Sequence, residues 1–227
     1  MIPRPENPLV VALDVSELSL AEELTRQLAG TVGLVKVGLE LFVAAGPASV
    51  ERLGAQAAVF CDLKLHDIPN TVERAAHNIA RLGASMFTVH ALGGEAMVAA
   101  AVRGATAGAH EASRPVPAVI AVTVLSSLAG EGLASPASLA YEAQAAGANG
   151  AVVSGEDVAT VREVTGDSFC LVVPGIRPAG SNGHDQVRIL TPREAIERGA
   201  DYLVLGRPIT GSSDPVGSAR AILALVR

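Results

Sequence analysis

The 227-residue chain is 49% hydrophobic and 18% charged, which suits a large apolar core and argues against disorder. Its net charge of −6 argues against a nucleic-acid partner, which requires clustered cations against phosphate. The longest uncharged run, Pro115 to Gly130, is too short for a bilayer span and contains Pro117, Ser126 and Ser127. The first ten residues, MIPRPENPLV, lack the basic-then-apolar pattern of a secretory signal. The expectation is a soluble, cytoplasmic protein with no membrane partner, forming one domain over residues 1–227. Cys61 and Cys170 each sit in an apolar run, VFCDL and FCLVV, and read as buried free thiols.

Eight short β-branched runs follow one another along the chain. They are Leu9–Asp14, Leu34–Gly38, Ala58–Leu63, Met86–His90, Ala118–Val124, Gly150–Ser154, Cys170–Val173 and Tyr202–Leu205. Most lack period-2 alternation, the pattern of parallel strands buried on both faces. Between them the spacing predicts helices near 19–29, 40–53, 71–82, 94–107, 136–146, 156–164, 192–198 and 215–226. Ser19 with Glu22 predicts a capping box on the first. Gly83, Gly147 and Gly199 fall where helices should end. Eight alternations of strand and helix predict an α/β fold, a (β/α)8 TIM barrel; an open doubly wound sheet is the alternative.

Barrels of this kind place their chemistry at the C-terminal ends of the strands. Polar residues recur there: Asp14, Lys36, Asp62 with Lys64, His90, Thr123 with Ser126 and Ser127, and Gly206 with Arg207. Only two of the 17 basic side chains are lysines, Lys36 and Lys64; the rest are arginines. In a chain that uses arginine for surface charge, two lysines mark positions that need a compact, titratable ammonium. Asp62 and Lys64 are two apart on a strand and share a face, Asp67 follows in the loop, and Lys36 ends the preceding strand. Two ammonium and two carboxylate groups thus alternate at the barrel mouth. A surface ion-pair cluster is the plainer reading, and such clusters contribute little. Both lysines falling on adjacent strand ends beside carboxylates favours the functional one.

The segments ALDV (12–15), VKVGLELF (35–42), DLKLHDIPNTV (62–72), TVHALGG (88–94), VTVLSS (122–127), VPGIRP (173–178) and LGRPIT (205–210) occur in that order. Together they resemble the orotidine 5′-phosphate decarboxylase family in its bacterial form, nearly end to end. DLKLHDIPNTV is specific to that family, whereas D-x-K-x-x-D alone is shared with related sugar-phosphate decarboxylases and aldolases. The resemblance implies a lyase of pyrimidine biosynthesis that converts orotidine 5′-monophosphate to UMP without metal or organic cofactor. It implies a charged tetrad of Lys36, Asp62, Lys64 and Asp67, with Asp67 reaching in from the partner of a homodimer and Lys64 protonating C6 of the pyrimidine. It further implies that Asp14 and Lys36 hold the ribose, joined by Thr71 from the partner. By the same resemblance Ser127 would read the pyrimidine edge, and Gln186 and Arg207, with the backbone at Gly206, would hold the phosphate. One departure is Ser126, where relatives often carry threonine; the hydroxyl is kept.

The chemistry of those residues agrees. Decarboxylation leaves an electron pair on C6 with no carbonyl placed to accept it, and a fixed ammonium stabilises that anion and then protonates it. At the phosphate end, Gly206-Arg207 follows the eighth run, with glycine for close backbone approach and arginine for bidentate donation. The long connection from Pro174 to Leu190 contains PAGSNGHDQ and reads as a flap ending near Gln186. His77 and His110 read as structural or solvated and His184 as exposed; His66 and His90 lie at strand ends but lack a third ligand at metal-binding spacing. The alternatives are a metal-dependent sugar-phosphate enzyme, which a chelator would inhibit, and a Schiff-base aldolase at Lys64, which borohydride would trap. A non-catalytic nucleotide-binding barrel would bind UMP without turnover.

Overall fold

The computed structural model describes residues 5–124, 134–177 and 190–226. Its β-branched runs form eight strands: β1 (Leu9–Ala12), β2 (Leu34–Val37), β3 (Val59–Leu65), β4 (Met86–His90), β5 (Ala118–Val122), β6 (Gly150–Val152), β7 (Cys170–Val173) and β8 (Tyr202–Leu205). Each pairs in parallel with its neighbours in sequence, and β8 closes on β1. The alternative of an open sheet is thereby excluded.

Both strand faces are buried, as their apolar runs require. The inward residues are even-numbered on every strand that contributes to the inner core: Val10 and Ala12, Leu34, Phe60, Met86, Ile120, Cys170 and Val172, Tyr202 and Val204. The odd-numbered ones, such as Leu9, Val11, Val35, Cys61, Phe87 and Leu203, pack outward beneath the helices. This shared parity determines which polar residues enter the mouth, because Lys36, Asp62 and Thr88 follow in the same phase.

The helices are α1 (Leu18–Leu28), α2 (Leu39–Ala45), α3 (Ala48–Gly54), α4 (Pro69–Leu82), α5 (Gly94–Glu111), α6 (Pro136–Ala145), α7 (Val158–Thr165), α8 (Pro192–Glu197), α9 (Arg207–Thr210) and α10 (Pro215–Ala224). The helix expected over 40–53 is two, broken at Gly46-Pro47, where proline brings no N–H to continue the ladder. The capping box expected at Ser19 is absent. Glu17 is the N-cap and makes no side-chain cap bond, and Glu22 instead receives Arg52 at 2.7 and 2.6 Å. A capping box does form on α8, between Thr191 and Glu194. Gly83, Gly147 and Gly199 take φ of +89°, +94° and +103° beyond the ends of α4, α6 and α8, as the sequence predicts. Both thiols are free and buried. Burial, and secondarily Asp62, pushes the Cys61 thiol up to about 12. No described helix is long and apolar enough to cross a membrane.

Candidate active site

A cavity of about 360 Å³ opens at the C-terminal ends of the strands. Its floor is apolar, with Ala12, Phe60, Val122, Val152, Val172 and Val204, and its walls carry Asp14, Lys36, Asp62, Lys64, Arg177 and Arg207. A second cavity, of about 460 Å³, is lined by Leu34, Ala58, Met86, Asn149 and Tyr202 and by no Asp, Glu, Lys or Arg. Of these two, the first gathers the charges that catalysis of a polar substrate requires.

Strand phase explains the gathering. Lys36 and Asp62 are inward residues of β2 and β3 and are each only 9% exposed. Buried charges at that depth need partners. Asp62 has two: its Oδ2 lies 3.5 Å from Lys36 Nζ, and both its oxygens lie 3.0 Å from Lys64 Nζ. Lys36 Nζ also donates to Asp14 Oδ1 at 3.3 Å, so the order across the mouth is Asp14, Lys36, Asp62, Lys64.

Simple alternation does not bring Lys64 beside Asp62. Between the pairs Cys61–Phe87 and Leu65–Val89 the register shifts, so four steps along β3 match two along β4. Lys64 sits within this bulge at φ +52°, a region that non-glycine residues rarely occupy. Its backbone N–H donates to Thr88 Oγ1 at 2.8 Å, and that hydroxyl donates to Asp62 Oδ1 at 3.0 Å. The residue-by-residue reading missed Thr88. Its signal was parity: Thr88 is the inward residue of β4 in the phase that Lys36 and Asp62 share.

The other expected residues divide into three groups. Gly206 and Arg207 line the cavity, Gly206 on the side of Ala12 and Asp14. Asp67 and Thr71 do not line it within this chain; both are exposed, and Asp67 Oδ1 accepts the N–H of Ile68 at 2.6 Å. Ser127 and Gln186, with most of the expected flap, lie outside the described residues. The ends of that connection meet, since Arg177 N–H donates to the Leu190 carbonyl at 3.1 Å. Pro174, Gly175, Ile176 and Arg177 line the cavity, as does Ser154, which the sequence reading also left without a role.

His66 and His90 stack at the edge of the mouth, ring centroids 5.2 Å apart. Burial, then the neighbouring His66 and Lys64, lowers the His90 pKa below its usual value. Among the described residues no group of three His, Cys, Asp or Glu side chains is arranged to hold a metal.

The family model of orotidine 5′-phosphate decarboxylase / HUMPS proteins matches residues 7–222. The chain belongs to that family. Among similar family members is the orotidine 5′-phosphate decarboxylase of Anaeromyxobacter sp. (strain K), 50% identical over 97% of this chain and 99% of that protein. Another is that of Moorella thermoacetica, 46% identical over 96% and 92%. The barrel is also similar to the crystal structure of the Lactobacillus acidophilus orotidine 5′-phosphate decarboxylase. That match has a TM-score of 0.85 at 39% identity, covering 98% of this chain and 100% of that one. The Pyrococcus horikoshii OT3 decarboxylase matches with a TM-score of 0.77 at 25% identity, covering 96% and 99%. The family likeness drawn from the seven motifs and the barrel drawn from strand–helix alternation both hold.

Proposed function

We propose that this barrel mouth decarboxylates orotidine 5′-monophosphate to UMP, a step of pyrimidine biosynthesis, with Lys64 as the group that stabilises and protonates C6. The observation that carries this reading is the Lys36–Asp62–Lys64 array in a cavity that Gly206 and Arg207 also line. A nucleotide has the matching polarity: base and reacting carbon at one end, phosphate at the other. As the C6–carboxylate bond breaks, its electron pair stays on C6 and CO2 leaves. The ammonium Nζ of Lys64 gives that carbon a proton, and solvent restores the ammonium. Asp62 holds the ammonium in place, so little reorganisation accompanies the step. Asp14 and Lys36 suit the ribose hydroxyls, and Arg207 the phosphate, by bidentate donation. Ser127 and Gln186 complete the base and phosphate contacts in this reading.

The proposal includes a two-fold dimer in which Asp67 and Thr71 enter the partner's site. Two observations support it. Asp67 and Thr71 follow the mouth end of β3, are exposed, and line no part of their own cavity. Large apolar residues are exposed in the segments that follow β2, β3 and β4: Leu39 at 55% exposure, Val43 at 81%, Ile68 at 66% and Leu92 at 46%.

The test is loss of orotidine 5′-monophosphate absorbance in the presence of EDTA. Wild type should turn over with no loss to the chelator. Lys64→Ala should lose kcat by far more than about tenfold, ~1.4 kcal/mol, while UMP affinity changes little. UMP binding without turnover would identify a non-catalytic barrel. Inhibition by EDTA would identify a metal-dependent sugar-phosphate enzyme. Survival of Lys64→Ala within about tenfold would refute the role given to that lysine.

A further inference from the structure

The decarboxylation reading uses Lys64 but leaves unexplained how a lysine is held in a left-handed backbone conformation beside a carboxylate. In β3 the bulge gives two more residues than β4 opposite, so the regular ladder does not serve the Lys64 N–H. An unpartnered N–H at this depth would be costly. Thr88 supplies the partner. Its side chain is fully buried, and its hydroxyl is used as both acceptor and donor. Because the Lys64 N–H must donate, the hydroxyl proton points to Asp62 Oδ1. Thr88 therefore touches Lys64 at both ends: the backbone directly, and the ammonium through Asp62, whose two oxygens each lie 3.0 Å from Nζ.

We propose that Thr88 is a positioning residue for Lys64, its hydroxyl bracing the bulged backbone of the lysine and aiming the Asp62 carboxylate at the lysine ammonium. The hydroxyl, not the methyl group, carries the role. β-Branching suits Thr88 to a strand, but valine would provide that equally well. Within the register shift the hydroxyl joins Lys64 of β3 to β4, which valine would not do. Thr88 touches no reacting atom; it acts through Lys64 and Asp62, and the proposal rests on the catalytic role given to Lys64 above.

Two variants separate hydroxyl from packing. Thr88→Val keeps the shape and removes the hydroxyl, and Thr88→Ser keeps the hydroxyl and removes the methyl. Thr88→Val should lower kcat about 100-fold, the scale of an ångström-sized misplacement, with KM changed less than about threefold. Thr88→Ser should stay within about threefold of wild type in kcat. A crystal structure of Thr88→Val should show Lys64 φ leaving the left-handed region, or Nζ and Asp62 drawn apart. Should Thr88→Val not fold, Thr88→Ser against Thr88→Ala poses the same question. Undiminished kcat without the hydroxyl, equal losses in both members of the pair, or an unmoved Lys64 would each overturn the proposal. If wild type showed no turnover, the functional reading would fail, and the crystal structures would still decide whether Thr88 holds Lys64.

Discussion

A single methyl group tests how closely the charged wall is built. Gly38 follows β2 with φ −91°, a conformation open to alanine. A Cβ there would lie 2.9 Å from Lys36 Nζ and 3.2 Å from Asp14 Oδ1. The backbone would accept the change; the flexible end of Lys36 would have to move. Gly38→Ala should therefore keep or slightly raise Tm, since alanine narrows the unfolded ensemble, while kcat/KM falls about tenfold. A thermal scan beside the absorbance assay checks both, and unchanged kcat/KM would show that Lys36 does not need its present position. At this scale much was legible in the sequence. Lys36, Asp62, Lys64, Asp14, Gly206 and Arg207 are all marked by the sequence, because lysine scarcity and strand-end position are visible in one dimension. Thr88 was not, because a threonine in a β-branched run looks like strand propensity until its neighbour across the sheet is known.

The same division appears among the elements. All eight strands and the glycine-terminated helices are where apolar runs and turn residues place them, since those signals act within a few residues. Errors arose where a tertiary partner competed with a local one. Glu22, expected to cap α1, is instead bonded to Arg52 on α3. The β3 bulge, set by pairing with β4, replaced simple alternation as the means of joining Asp62 and Lys64. The capping box on α8 yields a prediction about pH. The Thr191 hydroxyl, then its backbone N–H, bonds the Glu194 carboxylate and holds that carboxyl below its usual 4.5. A carboxyl depressed in the folded state stabilises above its unfolded pKa, and that contribution is lost as pH falls through the folded value. Glu194→Gln should thus lower the urea midpoint at neutral pH, and the gap from wild type should narrow as pH drops below 4.5. A gap independent of pH would assign the loss to something other than the carboxylate charge.

For the whole molecule, the open question is how complete one chain is. Within it the alternating charges run Asp14, Lys36, Asp62, Lys64, and Asp67 is exposed with its carboxylate on the Ile68 N–H. A two-fold dimer exchanges the same loop in both directions, so each site would receive the partner's Asp67 and Thr71. Lys64→Ala and Asp67→Ala proteins, each nearly inactive, should then complement when mixed and allowed to exchange subunits. A heterodimer has one site with both defects and one with neither, so random pairing should restore about a quarter of wild-type sites. No recovery despite exchange seen by mass spectrometry would place Asp67 in its own subunit's site. It would also remove the catalytic reason for a dimer.

By itself the sequence determined the alternation of strands and helices, the end of the barrel that bears chemistry, and the two lysines and their carboxylates. Each of these is written in local patterns: apolar runs, glycine turns, and residue types at strand ends. Only the tertiary structure decided strand phase, the even-numbered parity that turns Lys36, Asp62 and Thr88 into one mouth, and the bulge that puts Lys64 at φ +52°. Register belongs to pairs of strands, and the energy of a buried charge depends on what lies across the sheet. The Thr88 hydroxyl joining the Lys64 backbone to the Asp62 carboxylate is such a contact, reaching back 24 residues to the one and 26 to the other.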